Sequence, residues 1–336
     1  MTELVRAAAL NGYFDVMADL GADPRPLLRE QGLAPDLLAD PERSIPAIAA
    51  IRLLERSAAA TGCSTLGLRM VEGRTLANLG APGLLIAHQP SLRKSLEALA
   101  EFRARINSTL VLHFEEHGEE AILREDFSLT RPEPWRQSLD LALGVLTRLC
   151  AAVLGDRWRP LAVCFVREAP PAAERALHAR VFGCPVQFDC EFNGIVVARA
   201  DLDRAIPNAD DRLAHHARQL LETAMGPIER SRSDEVRQLI KLLLPSGRAS
   251  VQVCAASMGM TVRTLQRALD AEGASFTALL NHARMQLAEQ YLANPRMRIT
   301  DIAGLLGYST TGAFSRWHAG VFGAPPSWRR KGKGVG

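Results

Sequence analysis

The stretch C-A-A-S-M-G-M-T-V-R-T-L-Q-R, Cys254 to Arg267, returns 48 residues later as I-A-G-L-L-G-Y-S-T-T-G-A-F-S-R, Ile302 to Arg316. Each copy has an alanine, a glycine four residues on, a large apolar residue, a hydroxyl residue and an amphipathic run that reaches an arginine. That order suits two helices meeting at a tight turn. A small side chain, Ala255 or Ala303, lets the helices approach closely. Gly259 or Gly307 supplies a backbone angle that other residues resist. Thr261 or Ser309 is placed to cap the second helix. The second copy carries one extra residue before its apolar anchor, Phe314, which corresponds to Leu265. The repeat predicts two helix-turn-helix units in tandem.

In the first unit Val262, Leu265 and Leu269 share one helical face and should be buried. Thr261, Arg263, Thr264, Gln266 and Arg267 are left facing outward. Arginine bidentate to guanine and glutamine bidentate to adenine are favoured major-groove pairings, so this face suits base reading. On an isolated helix the same residues would read as merely solvated; the turn, the cap and the charge favour DNA. In the second unit Phe314 should be the anchor, leaving Ser309, Thr310, Thr311, Ser315 and Arg316 accessible. Gly312 removes a side chain from that surface. More phosphate contact and less base discrimination are expected there. Between the units Phe276, Leu280, Arg284, Ala288 and Leu292 recur every four residues. The 17 residues they span form a helix of roughly 25 Å. Such a strut could hold two recognition helices for successive major grooves, which lie roughly 34 Å apart. Arg284, on the apolar stripe, is expected in a structural ion pair rather than on DNA.

The charge distribution points the same way. The net charge over 336 residues is +3, but residues 235–336 hold thirteen Lys/Arg against five Asp/Glu, and the remainder is acidic by five charges. A basic C-terminal third is the footprint of a polyanion-binding module. The length supports two domains, placed at 1–228 and 235–336 with a short polar linker at 229–234. The composition, 47% hydrophobic and 23% charged, is that of an ordinary globular protein. Six cysteines, Cys63, Cys150, Cys164, Cys184, Cys190 and Cys254, lack paired-ligand spacing and read as reduced core residues. No signal peptide pattern opens the chain, and the apolar stretch from Leu139 to Leu154 is interrupted by Arg148. A cytoplasmic protein with no membrane span, no metal and no cofactor is the expectation.

The first two-thirds reads as mixed α and β. Helices broken by proline and glycine are expected over 1–60, and a helix over 91–106. Alternation at Leu110, Leu112 and Phe114, then Gly118, then Ala121 to Phe127, predicts a β-hairpin. A long helix from 134 to 154, a strand at 161–166 and a helix opened by Pro170-Pro171 follow. Asn193-Gly194 reads as a turn between strands at 186–188 and 195–198. The helix over 210–225 places Leu213, Ala217, Leu220 and Ala224 on one stripe, near a heptad seam, which suits either packing within the domain or a dimer contact.

The C-terminal hundred residues resemble the DNA-binding domain of the AraC/XylS transcription regulators. The resemblance is carried by the run Phe276-Leu280-Arg284-Ala288-Leu292, by Ile302-Ala303, Leu306-Gly307-Tyr308, Phe314 with Arg316, and by Gly323, Pro326 and Arg330. His318 departs from the family, which has an aromatic residue there; Trp317 or Phe322 could compensate. The N-terminal region is similar to the effector-binding domain of that family's ornithine-regulator-like branch. The matching stretches are Gly32 to Leu38, Ile45-Pro46-Ala47, Thr61-Gly62, Leu66-Gly67-Leu68, Phe182 to Phe188 and Leu202 to Pro207. The resemblance implies an α+β effector-binding domain of the arabinose-binding type, followed by an all-α domain with two helix-turn-helix units joined by a helix. It also implies promoter DNA, RNA polymerase and a second copy of the chain as partners, an activator's role, and an amino acid, fatty acid or similar small acid as effector.

Enzymatic readings are weaker. His113-Phe-Glu-Glu-His117 matches a zinc-protease string, but that chemistry needs both histidines on one face of a helix, and this segment alternates like a strand. His215-His216 reads as a solvated pair. No glycine-rich phosphate loop, G-x-S-x-G elbow or cysteine cluster is present, which argues against a DNA-repair methyl-transfer protein. Two alternatives keep the same tail: an enzyme-like N-terminal domain fused to a DNA-binding module, and a tail that binds protein instead of DNA.

Overall fold

The computed structural model describes residues 3–129, 133–225, 231–293 and 297–327. It divides into two compact units, Met1–Ile228 and Glu229–Gly336. Of the segment expected as a linker at 229–234, residues 229 and 230 lie outside the described residues, as does Arg330 of the C-terminal family pattern, while Ser231 caps the helix Arg232–Leu243 and residues 232–234 form its first turn.

In the first unit, short strands β1 (Leu4–Arg6) and β2 (Ser44–Pro46) pair antiparallel around helices α1 (Tyr13–Asp19) and α2 (Arg25–Glu30). This sheet corrects the all-helical reading of residues 1–60; strands of three residues are too short to show an alternating pattern. Helices α3 (Ala47–Thr61), α4 (Leu66–Arg69), α5 (Ala81–Ala87) and α6 (Leu92–Ile106) follow. Ser91 caps α6 by accepting from the Lys94 amide, so the expected helix begins where its hydroxyl residue allows. Strands β3 (Leu110–His117) and β4 (Glu120–Phe127) form the predicted hairpin around Gly118, whose φ is 59°.

Helix α7 (Arg136–Leu154) is the apolar centre of the unit. Leu141 packs into one core with α3, while Leu139, Leu143, Leu146 and Leu149 pack into a second with the sheet. It is long and apolar enough to cross a membrane, yet most of it is buried within the unit. Small residues permit that burial. A Cβ at Gly67 of α4 would lie 2.0 Å from the Gln137 carbonyl oxygen, and one at Gly144 would lie 2.3 Å from Val71.

Strand β5 (Ala162–Cys164), helix α8 (Ala172–Phe182), and strands β6 (Val186–Gln187) and β7 (Gly194–Ala198) complete a five-stranded sheet of order β3-β4-β7-β5-β6. The hairpin expected at Asn193-Gly194 does not form: β6 pairs parallel with β5, and β7 lies between β4 and β5. Asn193 acts through its side chain, which donates to Asp126 at 2.8 Å and accepts from the Val166 amide at 2.9 Å. Gly194 allows close strand approach, because a Cβ there would meet the Leu123 carbonyl oxygen at 2.4 Å. His113 and His117 lie four residues apart on β3, roughly 13 Å along an extended chain, too far to share a metal ion.

Helices α9 (Arg199–Leu202) and α10 (Asp211–Met225) end the unit. Ala214, Ala217 and Leu221 of α10 pack against Leu85, Ala98 and Phe102. The expected stripe is therefore split: Ala217 faces the core, whereas Leu213 and Leu220 are 42% and 61% exposed. The Ala224 side chain lies outside the described residues. His215 and His216 are exposed, as expected of a solvated pair.

Every described element of the second unit is helical: α11 (Arg232–Leu243), α12 (Val251–Ser257), α13 (Val262–Ala271), α14 (Phe276–Ala293), α15 (Ile299–Leu305) and α16 (Thr311–Phe322). Leu279 and Ala283 of α14 join a core made by α11, α12 and α13. Ala288 and Leu292 of the same helix join a second core around Phe314. Leu280 packs against both. One helix thus supports two small cores; the predicted stripe supplies Ala288 and Leu292 to the second, whereas Leu279 and Ala283, off that stripe, are its buried residues in the first, where Phe276 and Leu280 are half-buried.

Candidate nucleic-acid interface and effector cavity

Helices α12 and α13 meet at Gly259, whose φ of 63° lies in the left-handed region, and α15 and α16 meet at Gly307 with φ 73°. Ala255 and Ala303, the small residues ahead of each turn, are buried. Thr261 caps α13, its hydroxyl accepting from the Thr264 amide at 3.2 Å and lying 2.9 Å from the Thr264 hydroxyl. In the second unit the cap is Thr310, which accepts from the Ala313 amide at 3.2 Å. This corrects the expectation for Ser309. The extra residue of the second copy shifts the cap by one, so that Phe314 still reaches the core.

Along α13, Leu265 and Leu269 are buried and Val262 is half-buried, while Thr261, Arg263, Thr264, Gln266 and Arg267 are all exposed. Arg263 and Arg267 form no salt bridge among the described residues, so their guanidinium groups remain available to an outside anion. Ser309, Thr310 and Arg316 are exposed in the second unit, whereas Thr311 and Ser315 are half-buried. A Cβ at exposed Gly312 would lie 3.6 Å from an Arg316 nitrogen, an ordinary van der Waals contact.

The second core is aromatic. Phe314 lies 5.9 Å from Tyr308, 6.1 Å from Trp317 and 5.8 Å from His318 between ring centroids. His318 is fully buried, its Nδ1 is 2.7 Å from the Ala324 carbonyl oxygen, and its ring lies 4.5 Å from Phe322. The departure at His318 is thus absorbed by Trp317 and Phe322. Arg284 is structural, but through other partners than a carboxylate: Nε donates to the Leu306 carbonyl at 3.0 Å and the guanidinium sits 4.6 Å from the Tyr308 ring. Glu272, just beyond α13, gave no signal in the sequence. Its carboxylate accepts from the backbone amides of Ser233 and Arg232, caps α11, and is held down to about 2 by those bonds.

Residues 21–206 match the arabinose-binding N-terminal domain of AraC transcription regulators, and residues 254–332 match a helix-turn-helix domain. The chain is 31% identical over 334 residues to the HTH-type transcriptional regulator VirS of Mycobacterium tuberculosis, covering 99% of this chain and 98% of VirS. The chain belongs to the AraC family of transcription regulators. It is 22% identical to the ornithine utilization regulator of Pseudomonas aeruginosa, over 94% of this chain and 92% of that one. The crystal structure of the regulator CdpR from Pseudomonas aeruginosa aligns with a TM-score of 0.44 and 18% identity, covering 94% of this chain and 98% of CdpR. This AraC-family chain is therefore a DNA-binding transcription regulator with an effector domain, and the matched domains and relatives are regulators rather than enzymes.

The effector domain of this regulator contains a cavity of about 140 Å³ between α3, α6, α7 and the hairpin. Its walls are mainly aliphatic, with Leu54, Leu110, Leu141 and Leu146 among them. Arg6, Arg74 and Glu125 are the charged side chains of its lining. They come from β1, from the turn after α4 and from β4, positions too dispersed to announce a site in the sequence. All six cysteines are free thiols, with Cys63, Cys150, Cys164 and Cys254 buried as expected and Cys184 and Cys190 half-buried; Cys150 and Cys254 are pushed up by burial, the latter to about 12, which keeps both protonated.

Proposed function

We propose that this regulator reads two adjacent major-groove segments of promoter DNA with one chain. Thr261, Arg263, Thr264, Gln266 and Arg267 form the base-reading surface of the first unit. Ser309, Thr310, Thr311, Ser315 and Arg316 form a second surface that contributes mainly phosphate contacts. The observation that carries this reading is the exposure of the whole α13 surface opposite a buried Leu265-Leu269 face. Arg267→Ala is expected to cost about 1–3 kcal/mol in specific binding and to relax sequence choice. Fluorescence anisotropy against matched and mismatched duplexes measures both effects. Unchanged affinity and unchanged discrimination would remove Arg267 from the interface.

Binding of a small organic effector to the N-terminal domain changes DNA affinity and the recruitment of RNA polymerase, which makes the chain an activator working in the cytoplasm. Transcription in vitro with and without bound ligand tests this; output indifferent to every ligand that binds the first unit would contradict it. The chain works as a homodimer joined through α10. The support is the pair Leu213 and Leu220, exposed seven residues apart on a helix whose other face is already buried. Leu220→Lys is expected to convert dimers into monomers in sedimentation-velocity runs. A variant that sediments like the parent would place the dimer contact elsewhere.

A further inference from the structure

The charged groups around the effector cavity differ in what holds them. Arg6 donates to the Leu79 carbonyl at 2.7 Å and pairs with Glu42, and Arg74 donates to the carbonyls of Ala8 at 2.8 Å and Ala9 at 2.6 Å, so each guanidinium is engaged through its terminal nitrogens and only its Nε lacks a partner among the described residues. Glu125 is only 3% exposed, and its Oε2 is a buried acceptor without a partner among the described residues. A buried polar group left unpaired costs free energy comparable to a lost hydrogen bond, so it marks the place where a ligand gains most. Size narrows the ligand further. A dry apolar cavity of about 150 Å³ is known to hold a single benzene ring, and this one is of similar volume.

We infer that the cavity takes a compact, ring-sized apolar amine, whose nitrogen pairs with the Glu125 carboxylate while its hydrocarbon body fills the leucine-lined walls. This rests on the proposed effector domain and names its ligand class, opposite in charge to the small acids implied by family resemblance. In the free protein burial, reinforced by the neighbouring Asp126 carboxyl, pushes Glu125 up to about 8, so at neutral pH it holds its proton. An amine enters from water as the ammonium ion, Glu125 gives its proton to the solvent, and the two ions form one charge-assisted hydrogen bond. The cavity gains no net charge.

Other titratable groups face Glu125. Asp126 on the same strand is itself raised by burial, and the bonds it accepts from Asn193 and the Phe127 amide work against that rise. Cys150 of α7 stays a neutral thiol. Arg6 and Arg74 are held on backbone carbonyls, while α3, α6 and β3 contribute only apolar side chains to the lining. Affinity should therefore climb between pH 6 and 8, by up to about tenfold per unit, and level off above 8.

The test is calorimetric titration of the full chain with cyclohexylamine, cyclohexanol and cyclohexanecarboxylate at pH 7, in two buffers of different ionisation enthalpy. The amine should bind tightest and release close to one proton. Glu125→Gln, similar in size and neutral like the protonated acid, should lose at least tenfold in amine affinity together with the proton release. Ala142→Phe, which fills the cavity, should abolish binding. The idea is overturned if the carboxylate binds as well as the amine, if no amine binding is seen, or if Glu125→Gln binds the amine with unchanged affinity and proton release. A parallel DNA titration separates the two readings: amine binding without any change in DNA affinity would sink the effector role and leave the amine site standing.

Discussion

Phe314→Ala is expected to destabilise the second helix-turn-helix unit by about 3–5 kcal/mol, the cost of removing a fully buried aromatic side chain and leaving a cavity. The ring has no exposure and is the common contact of Tyr308, Trp317 and His318. A domain of about one hundred residues has only some 5–15 kcal/mol of total stability, so the loss is a large fraction of it. The core around Leu265, Leu269 and Leu279 contains none of these rings. The first unit should therefore keep its fold while α16 loses its seat. Hydrogen exchange should show α15 and α16 opening while α12 and α13 remain protected, and DNA affinity should fall to that of one unit. Uniform loss of protection across both units would mean that α14 couples them into one cooperative block.

The second large effect lies in the effector domain. Gly67→Ala puts a methyl group 2.0 Å from the Gln137 carbonyl oxygen and 2.8 Å from its carbonyl carbon. Backbone atoms cannot swing aside as a flexible side chain can, so α4 must move from α7. That separation strains two further bonds: Gln137 accepts from the Gly67 amide at 3.0 Å and donates to the Ser64 carbonyl at 2.9 Å. Overpacking of this kind costs about 3 kcal/mol, the upper end of its usual range. The expected result is a lowered first thermal transition and lost ligand binding, with DNA binding by the second unit retained. A variant with parental melting behaviour would show that α4 adjusts without cost.

The DNA-binding half was largely legible in the sequence because its information is local. A turn glycine, a cap and an apolar period fall within fifteen residues, and the exposed set on α13 follows from periodicity alone. Ser309 failed as a cap because one inserted residue can be absorbed on either side of a cap, and only the packing of Phe314 decides which. The effector half was less legible. Asn193-Gly194 carries a strong turn signal, yet strand order overrode it, and β1 and β2 were too short to announce themselves. The cavity could not be read at all: Arg6, Arg74 and Glu125 meet only after α3, α7 and the hairpin have packed. Glu272 likewise reaches back some forty residues to cap α11.

If two similar helix surfaces of one chain enter consecutive major grooves, a methylation-interference footprint on a duplex selected by the full chain from a random pool should show it. Two interfering major-groove segments per chain are expected, centred about one helical turn apart. Arg316→Ala should erase the second segment and leave the first. A single interfering segment per chain, or a second one that survives removal of Arg316, would contradict this two-groove arrangement.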